Sequence, residues 1–439
     1  MRTNYGTDGC LDLARGLISR RIFVDEDVYR SELENLFPRT WLFLGHESQV
    51  PKPGDFMTTF MGQDPVLLWR DTKSRLGAYL NSCRHRGVKL CRTDTGNANA
   101  VTCRYHGWTY NSQGQLTGVP LMREAYDAEL EREKWGLVEV PKLANYGGFI
   151  FGCWDAAAPA LDDYLGELRW YLDILIERPL GGFEVVLGPQ RYTINCNWKL
   201  HADNFSGDSY HIPVGHGSWP RVGLPLPGNN PDWTLRETYT ISFERGHSIL
   251  VMRLKDEAYE EDLMFAKSAG SEVVDYVKEC RARLAARLTE KRARIYSLGF
   301  GNIFPNFSIF NASALQPLGL HLWVPRGPQI SEAWEWCAVD RAAPPLVKEF
   351  AQLGFMRGQS AYGFLGQDDA DHFERLTEPA LGAIAKRYPF NYQMGLRRRD
   401  DALTLEGYPG KFVPYLSEYG QRNFYRCWAE LIEAPTLTA

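Results

Sequence analysis

The chain has 439 residues, of which 44% are hydrophobic and 23% charged, and its formal net charge is −5. This length predicts two domains rather than one small core, and a negative charge without a Lys/Arg cluster argues against nucleic acid as a partner. The sequence shows no apolar run long enough for a membrane span and no apolar signal region at the N-terminus, so we expect a cytoplasmic protein without a membrane partner.

The first predicted element is a helix over residues 25–37, which a proline stops. The following residues alternate short apolar strands with Gly, Pro and Asn turns, for example at 66–70 and 148–152. We therefore expect an N-terminal helical segment over residues 1–39 that packs with the later domain, and a small all-β domain over residues 40–158.

The remainder, residues 159–439, mixes strands and helices without regular alternation, which favours an α+β domain over a doubly wound sheet. The predicted strands of this part are residues 185–187, 191–196, 307–310, 321–323 and 333–339. Its predicted helices are residues 161–177, 199–211, 260–298, 345–356 and 368–388.

The small domain carries a Cys-x-His motif followed, after seventeen residues, by Cys-x-x-His, which comprises Cys83, His85, Cys103 and His106. Two thiolates and two imidazoles in this order are the ligand set of a Rieske [2Fe–2S] centre. Gly87 and Gly107 follow the ligands, where the backbone must turn around the cluster. A Cys2His2 zinc site is the main alternative, but zinc fingers usually separate the paired cysteines from the paired histidines.

A second group of candidate ligands lies further along the chain. If a helix spans residues 199–211, then Asn204, Asp208 and His211 fall on one of its faces. A proline and a glycine after this helix let the chain fold back, so that His216 approaches His211. Two imidazoles fill two facial positions of a metal, and a non-haem iron site then needs a carboxylate from elsewhere.

That carboxylate is predicted in the segment 366–374. If Asp368 caps the following helix, Asp369 lies on its inward stripe together with His372 and Phe373. A carboxylate among apolar neighbours needs a partner such as a ferrous ion, so Asp369 is the predicted ligand and Asp368 the reserve candidate. Taken singly, each of these residues also has an ordinary interpretation as a core hydrogen bonder or as a charge near a helix N-terminus.

With both motifs, the chain resembles the large (α) subunit of the Rieske non-haem iron aromatic-ring-hydroxylating dioxygenases, in the naphthalene, biphenyl, phenylpropionate and dibenzofuran dioxygenase group. The resemblance extends over almost the whole length and is carried further by residues 21–23, 41–49, 197–199, 367–369 and 422–428. It implies a β-sandwich-like Rieske domain and a helix-grip catalytic domain with a long antiparallel sheet. It also implies a [2Fe–2S] cluster on the four motif residues, and mononuclear Fe(II) on His211, His216 and Asp369.

The resemblance implies further site residues. Asp208 matches the family's bridging aspartate, which hydrogen-bonds an iron-ligating histidine and a cluster histidine of the neighbouring subunit; Asp208 and Asn204 are the expected catalytic residues. A rough alignment places five residues in the wall of the substrate pocket, namely Phe205, Trp323, Gln359, Leu365 and Phe373. Gln359 stands where aromatic substrates often meet an apolar side chain, and the segment 217–228 matches no single subgroup, so the identity of the ring stays open.

The function implied is that of a terminal oxygenase in an α3 or, with a small β subunit, α3β3 assembly. It would use O2 and electrons from a ferredoxin and/or reductase to cis-dihydroxylate an aromatic ring. NAD(P)H would act only through the reductase, because the chain has no Gly-rich nucleotide fingerprint. Two alternatives stay open: a Rieske monooxygenase with the same metals, and an electron-transfer Rieske protein whose second site is structural.

Overall fold

The computed structural model describes residues 9–218, 238–251, 254–398, 402–414 and 416–434. The chain divides into two compact units, one formed by Phe37–Leu161 and the other by Met1–Leu36 together with Asp162–Ala439. Antiparallel sheets combined with helices confirm the predicted α+β class. In the described ranges, no helix is both long enough and apolar enough to pass through a membrane.

The unit Phe37–Leu161 is built mainly from three antiparallel sheets. The largest has the strand order Leu76–Leu80, Asp64–Arg70, Asp55–Met61 and Thr95–Asn97. The second has the order Lys142–Tyr146, Phe149–Cys153 and Leu42–His46, and the third Leu116–Gly118, Thr109–Asn111 and Ala100–Thr102. Short helices at Met122–Tyr126 and Arg132–Trp135 interrupt the strands. Trp69, Tyr79 and Tyr110 are fully buried and form the core together with two cysteines of the motif.

The other unit contains an antiparallel sheet of eight strands in the order Phe183–Ile194, Ile330–Asp340, Leu318–Gly327, Phe307–Phe310, Phe300–Ile303, Ser248–Val251, Tyr239–Ser242 and Lys411–Pro414. A small sheet joins Leu11–Asp12, Leu17–Ile18 and Phe390–Asn391. The structure has one strand, Phe183–Ile194, where the sequence predicts two, at 185–187 and 191–196, so the predicted break between them is wrong. The register shifts between Val186 and Gln190, and Leu187 has a positive φ of 67°, a bulge that interrupts the alternation of side chains.

The helix Leu161–Leu165 begins at the residue where the chain division falls. The other helices of this unit span Glu26–Ser31, Arg169–Glu177, Trp198–Phe205, Ile212–Gly215, Glu257–Ala269, Ser271–Arg287, Glu290–Ala293, Pro345–Gly358, Phe364–Ala380 and Tyr419–Ile432. The single helix predicted over 260–298 is wrong, because three helices occupy that stretch. Gly270, with a φ of +111°, ends the first of them, and Thr289 caps the third by accepting a hydrogen bond from the backbone of Arg292.

The N-terminal segment is fixed to the site-bearing helix by a buried carboxylate. Glu32 accepts hydrogen bonds of 2.8 Å from the indoles of Trp198 and Trp428. It also pairs with Lys199, and neither side chain of this ion pair is exposed. Burial lowers the pKa of Lys199, and a buried charge of this kind needs its partner. Through Trp198 and Lys199, the start of the helix that leads into the site therefore contacts Glu32 of the N-terminal segment.

Candidate active site

The four predicted cluster ligands lie on two loops that share one pattern of backbone hydrogen bonds. The N–H of Gly87 donates to the carbonyl of Cys83 at 2.8 Å, and the N–H of Gly107 donates to the carbonyl of Cys103 at 2.9 Å. Each cysteine N–H in turn donates to the residue that follows the glycine. Gly87 and Gly107 have φ values of +75° and +74°, a conformation that glycine adopts at little cost. The chain thus presents two equivalent cysteine loops.

The side chains around these loops suit a cluster with two sulfur and two nitrogen ligands. Both motif cysteines are 3% exposed, and the rings of His85 and His106 have their centroids 4.5 Å apart. His85 stacks on Trp108 at 4.9 Å. Burial lowers the pKa of His85, which favours the neutral imidazole that a metal binds. The hydroxyl of Tyr110 lies 3.5 Å from the sulfur of Cys83, a contact of the type that tunes cluster potentials.

The helix that leads into the second site ends at Phe205 rather than at residue 211. The chain leaves the helix because Gly207 has a φ of +129°, which lies outside the helical region. The prediction that Asn204, Asp208 and His211 share one face of a continuous helix is therefore wrong. Asp208 and His211 lie instead on the turn that follows the helix.

One short helical turn, Ile212–Gly215, separates the two predicted iron ligands His211 and His216. Their Nε2 atoms are 3.1 Å apart, and Oδ1 of Asp369 lies 3.4 Å from each of them. Ligands at right angles around an ion at about 2.1 Å are separated by about 3 Å, so these three atoms are spaced to face one ion. Among the described residues, they form the only group of three potential ligands whose atoms all lie within 4.8 Å of one another.

Two further carboxylates contact the other nitrogens of these imidazoles. Oδ2 of Asp208 lies 3.4 Å from Nδ1 of His211, and Oδ2 of Asp368 lies 3.2 Å from Nδ1 of His216. Carboxylates in this position fix the tautomer and the orientation of a ligating histidine. Burial lowers the pKa of His211, but Asp208 and Asp369 outweigh it and raise that pKa to about 10. A metal ion that binds here must therefore displace a proton.

The helix that carries Asp369 begins earlier than predicted. It spans Phe364–Ala380, so Asp368 lies within the helix, and the prediction that it caps the helix is wrong. The four residues before it, 364–367, already form the first turn, and Gly363 occupies the N-cap position. Asp369 and Phe373 line the cavity described next. His372, which was predicted for the same inward stripe, is exposed, and its Nδ1 contacts the carbonyl of Asp368.

A cavity of about 370 Å³ lies beside the three candidate ligands, which form part of its wall. Small-molecule sites usually measure about 300–1,000 Å³. The wall includes all five residues predicted for the substrate pocket and also Asn204. Further aromatic side chains line it, namely Phe300, Phe310 and Phe350. A wall of this composition suits a planar apolar molecule. The segment 217–228 falls outside the described residues from residue 219 onward.

Several polar groups around this cavity are not evident from the sequence. Tyr192, His321 and Glu335 line it and contact one another. His321 and Glu335 face each other on neighbouring strands. Both lay within predicted strands, but only the register of the sheet shows that they meet. Asp368, which was considered as a ligand, contacts the opposite nitrogen of His216 instead.

Residues 40–143 match the family described as the Rieske [2Fe-2S] domain, and residues 161–434 match the ring hydroxylating alpha subunit (catalytic domain). The chain is 35% identical over 437 residues to biphenyl 2,3-dioxygenase subunit alpha of Rhodococcus jostii (strain RHA1), covering 98% of this chain and 92% of the relative. It is 36% identical over 428 residues to chlorobenzene dioxygenase subunit alpha of Cupriavidus sp. (strain PS12), with 96% and 92% covered. The solved structure of naphthalene 1,2-dioxygenase from Rhodococcus sp. bound to indole is 34% identical, with a TM-score of 0.83 and 98% and 99% covered.

Proposed function

The chain belongs to the family of Rieske-type ring-hydroxylating dioxygenase alpha subunits, and we propose that it binds an aromatic ring in the cavity beside His211, His216 and Asp369 and converts it to a cis-dihydrodiol. It is the terminal oxygenase of its system, with a [2Fe–2S] cluster and a mononuclear iron, and it works with a ferredoxin or reductase. NAD(P)H contributes electrons only through that separate partner.

One observation supports this proposal above the others. The three candidate ligand atoms are 3.1 to 3.4 Å apart, and they belong to the wall of a cavity lined by aromatic side chains. Two imidazoles and one carboxylate leave coordination positions free for oxygen. Iron held there would supply oxygen activation, and a [2Fe–2S] cluster held by Cys83, His85, Cys103 and His106 would pass on single electrons that it receives from the external donor.

The protein's own residues have three tasks in this proposal. Phe205, Trp323 and Phe373 hold the ring and keep water away from it. Asp208 and Asp368 keep the two ligating imidazoles in orientation. Asn204 and Leu365, which also line the cavity, complete the wall.

We also propose an α3 or α3β3 assembly in the cytoplasm, as the family resemblance implies. In such an assembly Asp208 joins the iron to the cluster of a neighbouring subunit. Its side chain is 39% exposed, which is compatible with a contact to another chain. Residues 1–39, 40–158 and 159–439 are the proposed N-terminal segment, cluster domain and catalytic domain.

The test is product analysis on mono-, bi- and tricyclic aromatics, with and without carboxyl groups, under oxygen-18 gas. We expect cis-dihydrodiols that carry two labelled oxygen atoms, and three iron atoms per chain. His211→Ala serves as the control that lacks one proposed ligand. Phenols or aldehydes with a single labelled atom would identify a monooxygenase instead. Two iron atoms per chain and no oxygenated product would identify an electron carrier.

A further inference from the structure

A polar patch interrupts the apolar wall of the cavity. Nε2 of His321, Oε2 of Glu335 and Oε1 of Gln359 are buried and have no hydrogen-bond partner among the described residues. The three residues are 3%, 2% and 8% exposed, and all of them line the cavity. A buried polar atom that has lost water without gaining another partner destabilises the protein. Three such residues around one cavity therefore indicate a ligand that bonds to them.

Two of these residues form a fixed pair. His321 and Glu335 are direct cross-strand neighbours, and Oε1 of Glu335 lies 3.2 Å from Nδ1 of His321. The hydroxyl of Tyr192 donates to the same carboxylate oxygen at 2.9 Å. Because a carboxylate accepts hydrogen bonds, Nδ1 of His321 carries a hydrogen, and Nε2 is the atom left to meet a ligand. The imidazole is also held by its stacking on Trp323, with ring centroids 5.5 Å apart.

Gly319 creates the space where two of the unpartnered atoms converge. A Cβ added to Gly319 would lie 1.8 Å from Oε1 of Gln359 and 2.8 Å from Nε2 of His321. The two atoms are therefore at most 4.6 Å apart, the sum of these distances. Two partners of one oxygen atom, each at about 2.8 Å and in tetrahedral directions, are separated by about 4.5 Å. The upper limit on their separation is therefore the distance that a single oxygen atom between them requires.

We propose that this patch, formed by His321, Gln359 and Gly319, binds a hydroxyl group of the substrate, so that the preferred substrate is a hydroxyl-bearing aromatic compound. The proposal rests on the function proposed above and narrows its substrate class. A hydroxyl has one hydrogen and two lone pairs, so it donates to the oxygen of Gln359 and accepts from Nε2 of His321 when the imidazole beside Glu335 carries a hydrogen on both nitrogens. A methyl group would leave both atoms unpartnered.

Two other substituents fit this patch less well. An ether or a ketone has no hydrogen to donate, so the oxygen of Gln359 would stay unpartnered. A carboxylate would face the unpartnered oxygen of Glu335, and like charges repel strongly where water is excluded. Arg357 also lines the cavity, but its side chain is exposed. The charges around the patch therefore favour a neutral donor.

The experiment compares one ring compound in four forms, with a methyl, hydroxyl, methoxy or carboxylate substituent at the same position. Binding to the iron-loaded protein is measured by calorimetry without oxygen, and kcat/KM is measured with oxygen. We expect the wild type to favour the hydroxyl over the methyl compound by at least about tenfold, since one hydrogen bond left unmade has this order of effect. Because binding is measured separately, the preference can be tested even if no ring is oxygenated.

Two variants test whether the patch causes the preference for the hydroxyl compound, and a third is the control. Gln359→Leu removes the acceptor, and Gly319→Ala fills the space in front of it; each should reduce the ratio of hydroxyl to methyl to about twofold or less at unchanged iron content. Gln421→Leu removes another buried glutamine with an unpartnered oxygen, which does not line the cavity, and should keep the wild-type ratio.

Several results would overturn the assignment. One is a wild-type protein that binds the hydroxyl and methyl compounds within twofold of each other, which would mean that water occupies the patch. Another is a preference for the methoxy or the carboxylate compound. The last is a wild-type ratio that persists in both cavity variants. Failure of every compound to be oxygenated, with the hydroxyl preference intact in binding, would count against the proposed reaction but not against the patch.

Discussion

Asp368 lies against the nitrogen of His216 that faces away from the candidate metal position. Its Oδ2 is 3.2 Å from Nδ1, whereas Nε2 of the same ring faces Asp369 at 3.4 Å. The hydroxyl of Ser218 also donates to Asp368, at 3.3 Å. Two adjacent carboxylates of one helix thus contact opposite nitrogens of one imidazole. This relationship gives Asp368 a supporting position rather than that of the reserve ligand considered from the sequence.

Replacing Asp368 tests this supporting position. Asp368→Ala should weaken iron binding about 10- to 100-fold, because the imidazole of His216 loses the partner that orients it. The visible spectrum of the cluster should not change. Competition with a chelator measures the loss. Asp371→Ala is the matched control, since Asp371 is exposed and pairs only with Arg375 in the described structure, at 3.4 Å. Equal iron affinity in both variants would contradict the assignment.

The two candidate ligands His211 and His216 should be needed for iron but not for the cluster. His211→Ala or His216→Ala is expected to abolish oxygenation while the visible spectrum of the Rieske cluster stays intact. The reason is that the cluster motif and the candidate iron ligands belong to different compact units. Iron content and absorption spectra of the purified variants check this. Loss of the cluster spectrum would show that the two sites do not load independently.

Asp208 is expected to affect electron transfer more than iron binding. In the wild type, Oδ2 of Asp208 lies 3.4 Å from Nδ1 of His211. Asp208→Asn keeps an oxygen at this position, so much of the iron should remain bound. If Asp208 also bonds a cluster histidine of a neighbouring subunit, the reduced cluster should reoxidise very slowly when substrate and oxygen are added. Stopped-flow spectroscopy follows this step. Reoxidation at the wild-type rate with iron bound would leave Asp208 only the task of orienting His211.

The sequence predicts the class of fold well because apolar patterns are local, but it misses the points where chain direction changes. The strand predicted at 307–310 coincides with Phe307–Phe310. The long helix predicted over 260–298 is broken at Gly270, although the helical pattern of polar and apolar residues continues beyond it. Phe300–Ile303 was not predicted, because all four of its residues are buried and a fully buried strand shows no alternation.

In the candidate site, residue types were informative, whereas contacts between distant segments were not. His211, His216 and Asp369 stand out in the sequence because their types match a known ligand set. The contact between His321 and Glu335 depends on the register of two strands, and register is set by long-range pairing. The sequence therefore gives no sign of this contact, although both residues lie in predicted strands.

A buried carboxylate next to the site should make the stability of the protein depend on pH. Asp203 lies on the helix Trp198–Phe205 and accepts hydrogen bonds from the hydroxyls of Tyr392 and Tyr425. Burial is the largest influence on this group and, despite the two tyrosines, raises the pKa of Asp203 to about 8. In the unfolded chain the pKa of an aspartate is about 3.9.

The sign of the effect follows from this difference. Between about pH 4 and pH 8 the folded protein binds a proton on Asp203 that the unfolded chain has lost, so this group's contribution to stability decreases as the pH rises. The total change is on the order of 6 kcal/mol at most, at about 1.4 kcal/mol for each pKa unit. Asp203→Asn keeps an acceptor for the tyrosines without a titrating group. Its melting temperature relative to wild type should therefore increase from pH 5 to pH 8, whereas Asp371→Asn, at an exposed position, should follow wild type. A constant difference between Asp203→Asn and wild type over this range would mean that Asp203 stays ionised in the folded protein.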